Sequence, residues 1–120
     1  MTRVLVVDDR AELRWMIGEA IGLLGADAQT VGGAEAALDA LGDQSYDLVL
    51  SDIDMPGLSG WGLLERIVER FPGTRVIMMS GRPLDPEVLR SRGAVGGLPK
   101  PFRLEALEAF IHAVPESAVA

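Results

Sequence analysis

Short apolar runs alternate with stretches of helical periodicity along the whole of this 120-residue chain, and that alternation leaves few folds open. Residues 3–7 are β-branched and apolar, as a strand buried on both faces should be. Leu13, Met16, Ile17, Ala20, Ile21 and Leu24 then recur at helical spacing, with Gly25 as the stop. A weaker strand is expected over 26–31, an alanine-rich helix over 34–41 and a third strand over 47–51. Pro56-Gly57 and Gly60 punctuate a loop before a helix over 61–70, whose apolar stripe is Leu63, Leu64, Ile67 and Val68. Residues 75–79 make a fourth strand. Asp85-Pro86 reads as an N-cap with proline at the first helical position, opening a short helix to about 91. Residues 95–98 form a fifth strand weakened by Gly96 and Gly97, and a last helix covers 103–113. Five strands alternating with five helices predict an α/β doubly wound parallel sheet with helices on both faces.

In such a sheet the carboxyl ends of the strands share one edge, where residues distant in sequence meet. Asp8-Asp9 follow the first run, Asp52 the third and Lys100 the fifth. Ten of the eleven basic residues are arginine, and the lone lysine falls at this edge. Clustered carboxylates with one compact cation point to a magnesium-dependent phosphoryl site. Carboxylates about 4 Å apart repel by roughly 4 kcal/mol at an effective dielectric of 20, so the cluster makes poor structural sense without a cation.

A single domain over 1–120 is expected, with its core at about 2–114 and a short tail at 115–120. The net charge of −7 argues against direct nucleic-acid binding. No run of 18 apolar residues and no signal-peptide pattern is present, so neither a membrane span nor export is expected. The absence of cysteine removes disulfides and thiolate chemistry and fits the cytoplasm.

Four pieces, VLVVDD at 4–9, DLVLSDIDMPGLSG at 47–60, VIMMSG at 76–81 and GAVGGLPKPF at 93–102, occur in order, each at a strand end. Together they resemble the receiver domain of two-component response regulators over roughly 2–114. The resemblance implies a flavodoxin-like fold with strand order 2-1-3-4-5. It also implies Asp52 as acceptor of a phosphoryl group from a histidine kinase or phosphotransfer protein, and a cis Lys100–Pro101 bond. Magnesium, or manganese in its place, would be bound directly by Asp9 and Asp52 and by the backbone carbonyl of Asp54, with Asp8 acting mainly through water. Lys100 would contact phosphoryl oxygens as a point charge, and the Ser80 hydroxyl would donate to one. A downstream protein target, reached through altered protein contacts, completes the implied role, and no output domain is expected in this chain.

The family usually carries Tyr or Phe three residues before the lysine, where this chain has Gly97. The switch is therefore expected to run through the backbone around 80–84 and Gly96-Gly97. Asp54 and Arg82 are expected to flank the phosphoryl group and to pair across it. Trp15, off the helical stripe, is a candidate partner contact, whereas Trp61 is expected in the core. Three other readings remain. Asp52-Ile53-Asp54 matches the nucleophile and acid/base pair of haloacid-dehalogenase-like phosphatases, though these place it after the first strand. A flavodoxin-type carrier shares the fold, but Asp8-Asp9 would repel a flavin phosphate. A receiver-shaped binding module working without phosphorylation is compatible with Gly97.

Overall fold

The computed structural model describes residues 1–114; the expected tail at 115–120 lies outside the described residues. Five parallel strands, β1 (Arg3–Val7), β2 (Asp27–Val31), β3 (Leu48–Asp52), β4 (Arg75–Ser80) and β5 (Gly96–Pro99), form one sheet in the order β2-β1-β3-β4-β5. The expected topology and order are both observed. The connecting helices are α1 (Ala11–Leu23), α2 (Ala34–Asp43), α3 (Gly60–Arg70), α4 (Pro86–Ser91) and α5 (Leu104–His112).

Alternation along each central strand divides the core in two. Leu5, Val7, Val49, Val76 and Met78 face α2, α3 and α4. Val4, Val6, Leu48, Leu50, Ile77 and Met79 face α1 and α5. The central strands are covered on both sides, which is why they read as continuous apolar runs. β2 and β5 are the edges; β2 is half-covered, and its weaker pattern (Asp-Ala-Gln-Thr-Val) follows from that.

Element edges differ from expectation by one or two residues. The clearest case is β5, which starts at Gly96 because Val95 turns outward at 47% exposure. The α1 stripe is narrower than its periodicity: Ile17 and Ile21 are buried, Leu13 and Ala20 half-buried, and Met16 is 60% exposed. Successive helical residues turn by about 100°, so a stripe this wide exceeds what one sheet face covers. Val68 of α3 is exposed for the same reason. Asp85 caps α4 as expected, its Oδ1 accepting from the Glu87 amide at 2.9 Å. The Lys100–Pro101 bond is cis.

Gly60 fixes how α3 meets the end of β3. A Cβ at this position would lie 2.2 Å from the Asp52 carbonyl oxygen and 2.7 Å from the Ile53 Cα, both backbone atoms. The Gly60 amide donates to the Ile53 carbonyl at 2.9 Å, and Ser59 Oγ caps the helix by accepting from Gly62 N at 3.3 Å. Gly60→Ala should lower unfolding free energy in urea by at least ~2 kcal/mol, since neither neighbour is a flexible side-chain end. Gly42→Ala, in α2 with nothing within 4 Å of the added carbon, should instead raise stability by ~0.5 kcal/mol through helix propensity.

Candidate functional site

The carboxyl ends of β1, β3 and β5 bring Asp8, Asp9, Asp52 and Lys100 together. One carboxylate oxygen from each of Asp8, Asp9 and Asp52 lies within 4.8 Å of the others. Asp8 is fully buried, Asp52 is 6% exposed and Asp9 is open to solvent. Lys100 Nζ sits 2.9 Å from Asp8 Oδ2 and 3.3 Å from Asp52 Oδ1. This ammonium is the charge that lets two buried carboxylates stand side by side.

The arrangement is tied to the backbone on every side. The Asp8 amide donates to the Val31 carbonyl at 3.2 Å, and Asp8 Oδ1 accepts from Arg10 N at 2.9 Å. Arg14 Nη1 donates to the Asp8 carbonyl at 3.1 Å. Lys100 N donates to the Ser80 carbonyl at 2.7 Å, joining the β5 end to that of β4. Burial pushes the Asp52 carboxyl above its ordinary pKa; the Lys100 ammonium pulls it back, and the neighbouring Asp8 charge pushes it up.

Ser80, 3% exposed, ends β4 with its Oγ accepting from the Arg82 amide at 3.0 Å, so the hydroxyl caps its own loop and keeps its proton free to donate. Asp54 and Arg82 line one cleft of about 270 Å³ beside Asp52. Among the described residues no ion pair joins them, contrary to expectation. Trp15 is 65% exposed on α1. Trp61 is half-buried: it packs against the core, and the Arg92 guanidinium lies 4.3 Å over its ring. Sequence reasoning missed Arg14 and the direct Lys100–Asp8 contact. It named Gly60 only as punctuation, although a glycine heading a helix beside a strand end is a signal of close approach.

The sequence model of the response regulator receiver domain matches residues 4–112. The chain belongs to that family. This receiver domain is 37% identical over 111 residues to the DNA-binding transcriptional regulator NtrC of Escherichia coli strain K12, a match covering 91% of this chain and 24% of NtrC. It thus spans about a quarter of the length of NtrC and of the similarly matched FleR of Pseudomonas aeruginosa. The response regulator TrrA of Thermotoga maritima, solved in complex with Mg(2+)-BeF, superposes with a TM-score of 0.86 at 29% identity, covering 96% of this chain and all of that one. The receiver domain of NtrX from Brucella abortus gives 0.83 at 32% identity over 92% of this chain and 96% of that one. Among the described residues no helix is long and apolar enough to cross a membrane.

Two substitutions separate the charges of the site by sign. Lys100→Met strands the buried Asp8 carboxylate and should lower metal-free stability by about 3 kcal/mol. Asp52→Asn removes one repelling charge while leaving Lys100 on Asp8, and should raise it by about 1–2 kcal/mol. Urea unfolding in chelator reads both.

Proposed function

We propose that this receiver domain accepts a phosphoryl group on Asp52 from a histidine kinase or phosphotransfer protein and signals through altered protein contacts. The observation that carries this reading is the ammonium of Lys100 poised between Asp8 and Asp52 in a three-carboxylate cluster at the sheet's carboxyl edge. An Asp52 carboxylate oxygen attacks phosphorus; the new P–O bond forms as the P–N bond to the donor's imidazole breaks, and the imidazole nitrogen keeps that electron pair. The product is an acyl phosphate, released later by water. Burial that raises the Asp52 pKa also makes its carboxylate the more basic nucleophile.

The donor set is all oxygen, as a small hard cation requires. Asp9 and Asp52 would hold magnesium or manganese directly, with the Asp54 carbonyl as a third protein ligand. Both Asp8 oxygens are already engaged, by Lys100 and by Arg10 N, which suits Asp8 to a role through water. When bound, the ion offsets negative charge on the transferring group. Lys100 does the same from the other side by trading its carboxylates for a phosphoryl oxygen, and the Ser80 hydroxyl donates to another. Asp54 and Arg82 flank the group and screen it from water.

Trp15, with Met16 beside it, offers an exposed apolar surface on α1 for the phosphodonor. The domain works as a signalling module in the cytoplasm, not as a turnover enzyme. A charge of −7 leaves direct nucleic-acid contact out of this chain's own role, although NtrC is named for DNA binding. The phosphatase reading needs Asp54 as an acid/base beside the nucleophile, and Asp54 is solvent-exposed.

Incubation with magnesium and acetyl phosphate should add one phosphoryl group by intact mass to the wild type and none to Asp52→Asn. Repeated turnover of an aryl phosphate would favour the phosphatase instead. Arg82→Ala should shorten the acyl-phosphate lifetime several-fold; an unchanged decay rate would remove Arg82 from the site.

A further inference from the structure

Gly97 lies in β5 opposite Met78 of β4, and its face is not empty. A Cβ there would lie 2.7 Å from Leu84 Cδ1 and 2.8 Å from Leu89 Cδ1, so two leucine side chains rest on bare backbone. Leu84 belongs to the loop between β4 and α4. Two residues before it, the Arg82 amide is held by Ser80 Oγ; one residue after it, Asp85 caps α4. Two clefts open on either side of this loop. One, of about 270 Å³, is lined by Asp54, Trp61, Ser80 and Arg82 beside the phosphoryl site. The other, of about 200 Å³, is lined by Arg90, Val95, Gly97 and Pro99 on the α4–β5 face. Leu84 and Leu89 line both and form the wall between them.

Resting on the phosphoacceptor reading above, we infer that Leu84, seated on Gly97, carries the state of the Ser80 hydroxyl to the α4–β5 face. The Ser80 hydroxyl reaches a phosphoryl oxygen on Asp52 by turning its Oγ away from the Arg82 amide. That releases the only side-chain hydrogen bond made, among the described residues, to the first half of the loop. Leu84 then lifts from Gly97, where no Cβ interlocks with it, and the two clefts join beside Leu89. The moving part is an aliphatic side chain of the loop over a smooth strand, in place of a side chain carried by the strand itself.

NMR of this 120-residue chain, labelled at leucine methyls and backbone amides, with and without magnesium and beryllofluoride, tests this. The Leu84 and Leu89 methyl resonances should move by more than a linewidth, together with the Arg82, Asp9 and Asp52 amides. In Ser80→Ala the Asp9 and Asp52 amides should still respond while the Leu84 methyls no longer do. Leu84 and Leu89 methyls that stay in place while the Asp52 amide shifts would overturn the inference and leave the phosphoacceptor reading standing. A Ser80→Ala variant whose Leu84 methyls respond as in the wild type would overturn it equally. If neither the Asp9 nor the Asp52 amide responds, the phosphoacceptor reading falls, and the inference with it.

Discussion

A buried carboxylate needs a cation, and in this domain the need is met across 92 residues of sequence by one contact, Lys100 to Asp8. The contact exists because parallel strands share an edge: β1 delivers Asp8 and Asp9, β3 delivers Asp52, and β5 delivers the lysine. Alone, three carboxylates with oxygens inside 4.8 Å would repel by several kcal/mol. With one ammonium between the two buried ones, the site is stable enough to fold and remains short of positive charge. On the proposed reading a divalent ion would offset that shortfall, and only with it in place would the edge tolerate an anionic phosphoryl group.

The fold was legible because parallel strands buried on both faces leave runs such as Val4 to Val7 and Val76 to Met79, with helical stripes between them. The site was legible for the same reason, since each acidic position and the lysine directly follow such a run. What did not show was which of two adjacent aspartates turns inward. Asp8, not Asp9, is the one sealed against solvent and bound to Lys100, and an Asp-Asp pair carries no mark of that choice. Nor does periodicity say how much of a helix the sheet covers, which is why Met16 and Val68 stand exposed. The expected Asp54–Arg82 pair depends on loop conformation, for which the sequence has no period to read.

The chain belongs to the receiver family, and three residues before its lysine it carries a glycine, Gly97. A strand without a side chain at that point could have left a hole. Instead the loop after β4 folds Leu84 down onto it, with Leu89 alongside. The same loop is held by the Ser80 hydroxyl through the Arg82 amide, so the end of β4 and the surface beside α4 meet in five residues, 80 to 84. NtrC, which shares this domain, is about four times its length, whereas TrrA is matched from end to end.

On the proposed reading the acidic edge is completed by a divalent cation. Unfolding free energy measured against magnesium concentration addresses it without any phosphodonor. Binding to the folded state alone should make stability climb with the logarithm of magnesium once the dissociation constant is exceeded, by about 1.4 kcal/mol per decade. In Asp9→Asn that rise should be lost or displaced to much higher concentration. A wild-type stability indifferent to magnesium, or one that rises equally in Asp9→Asn, would contradict it.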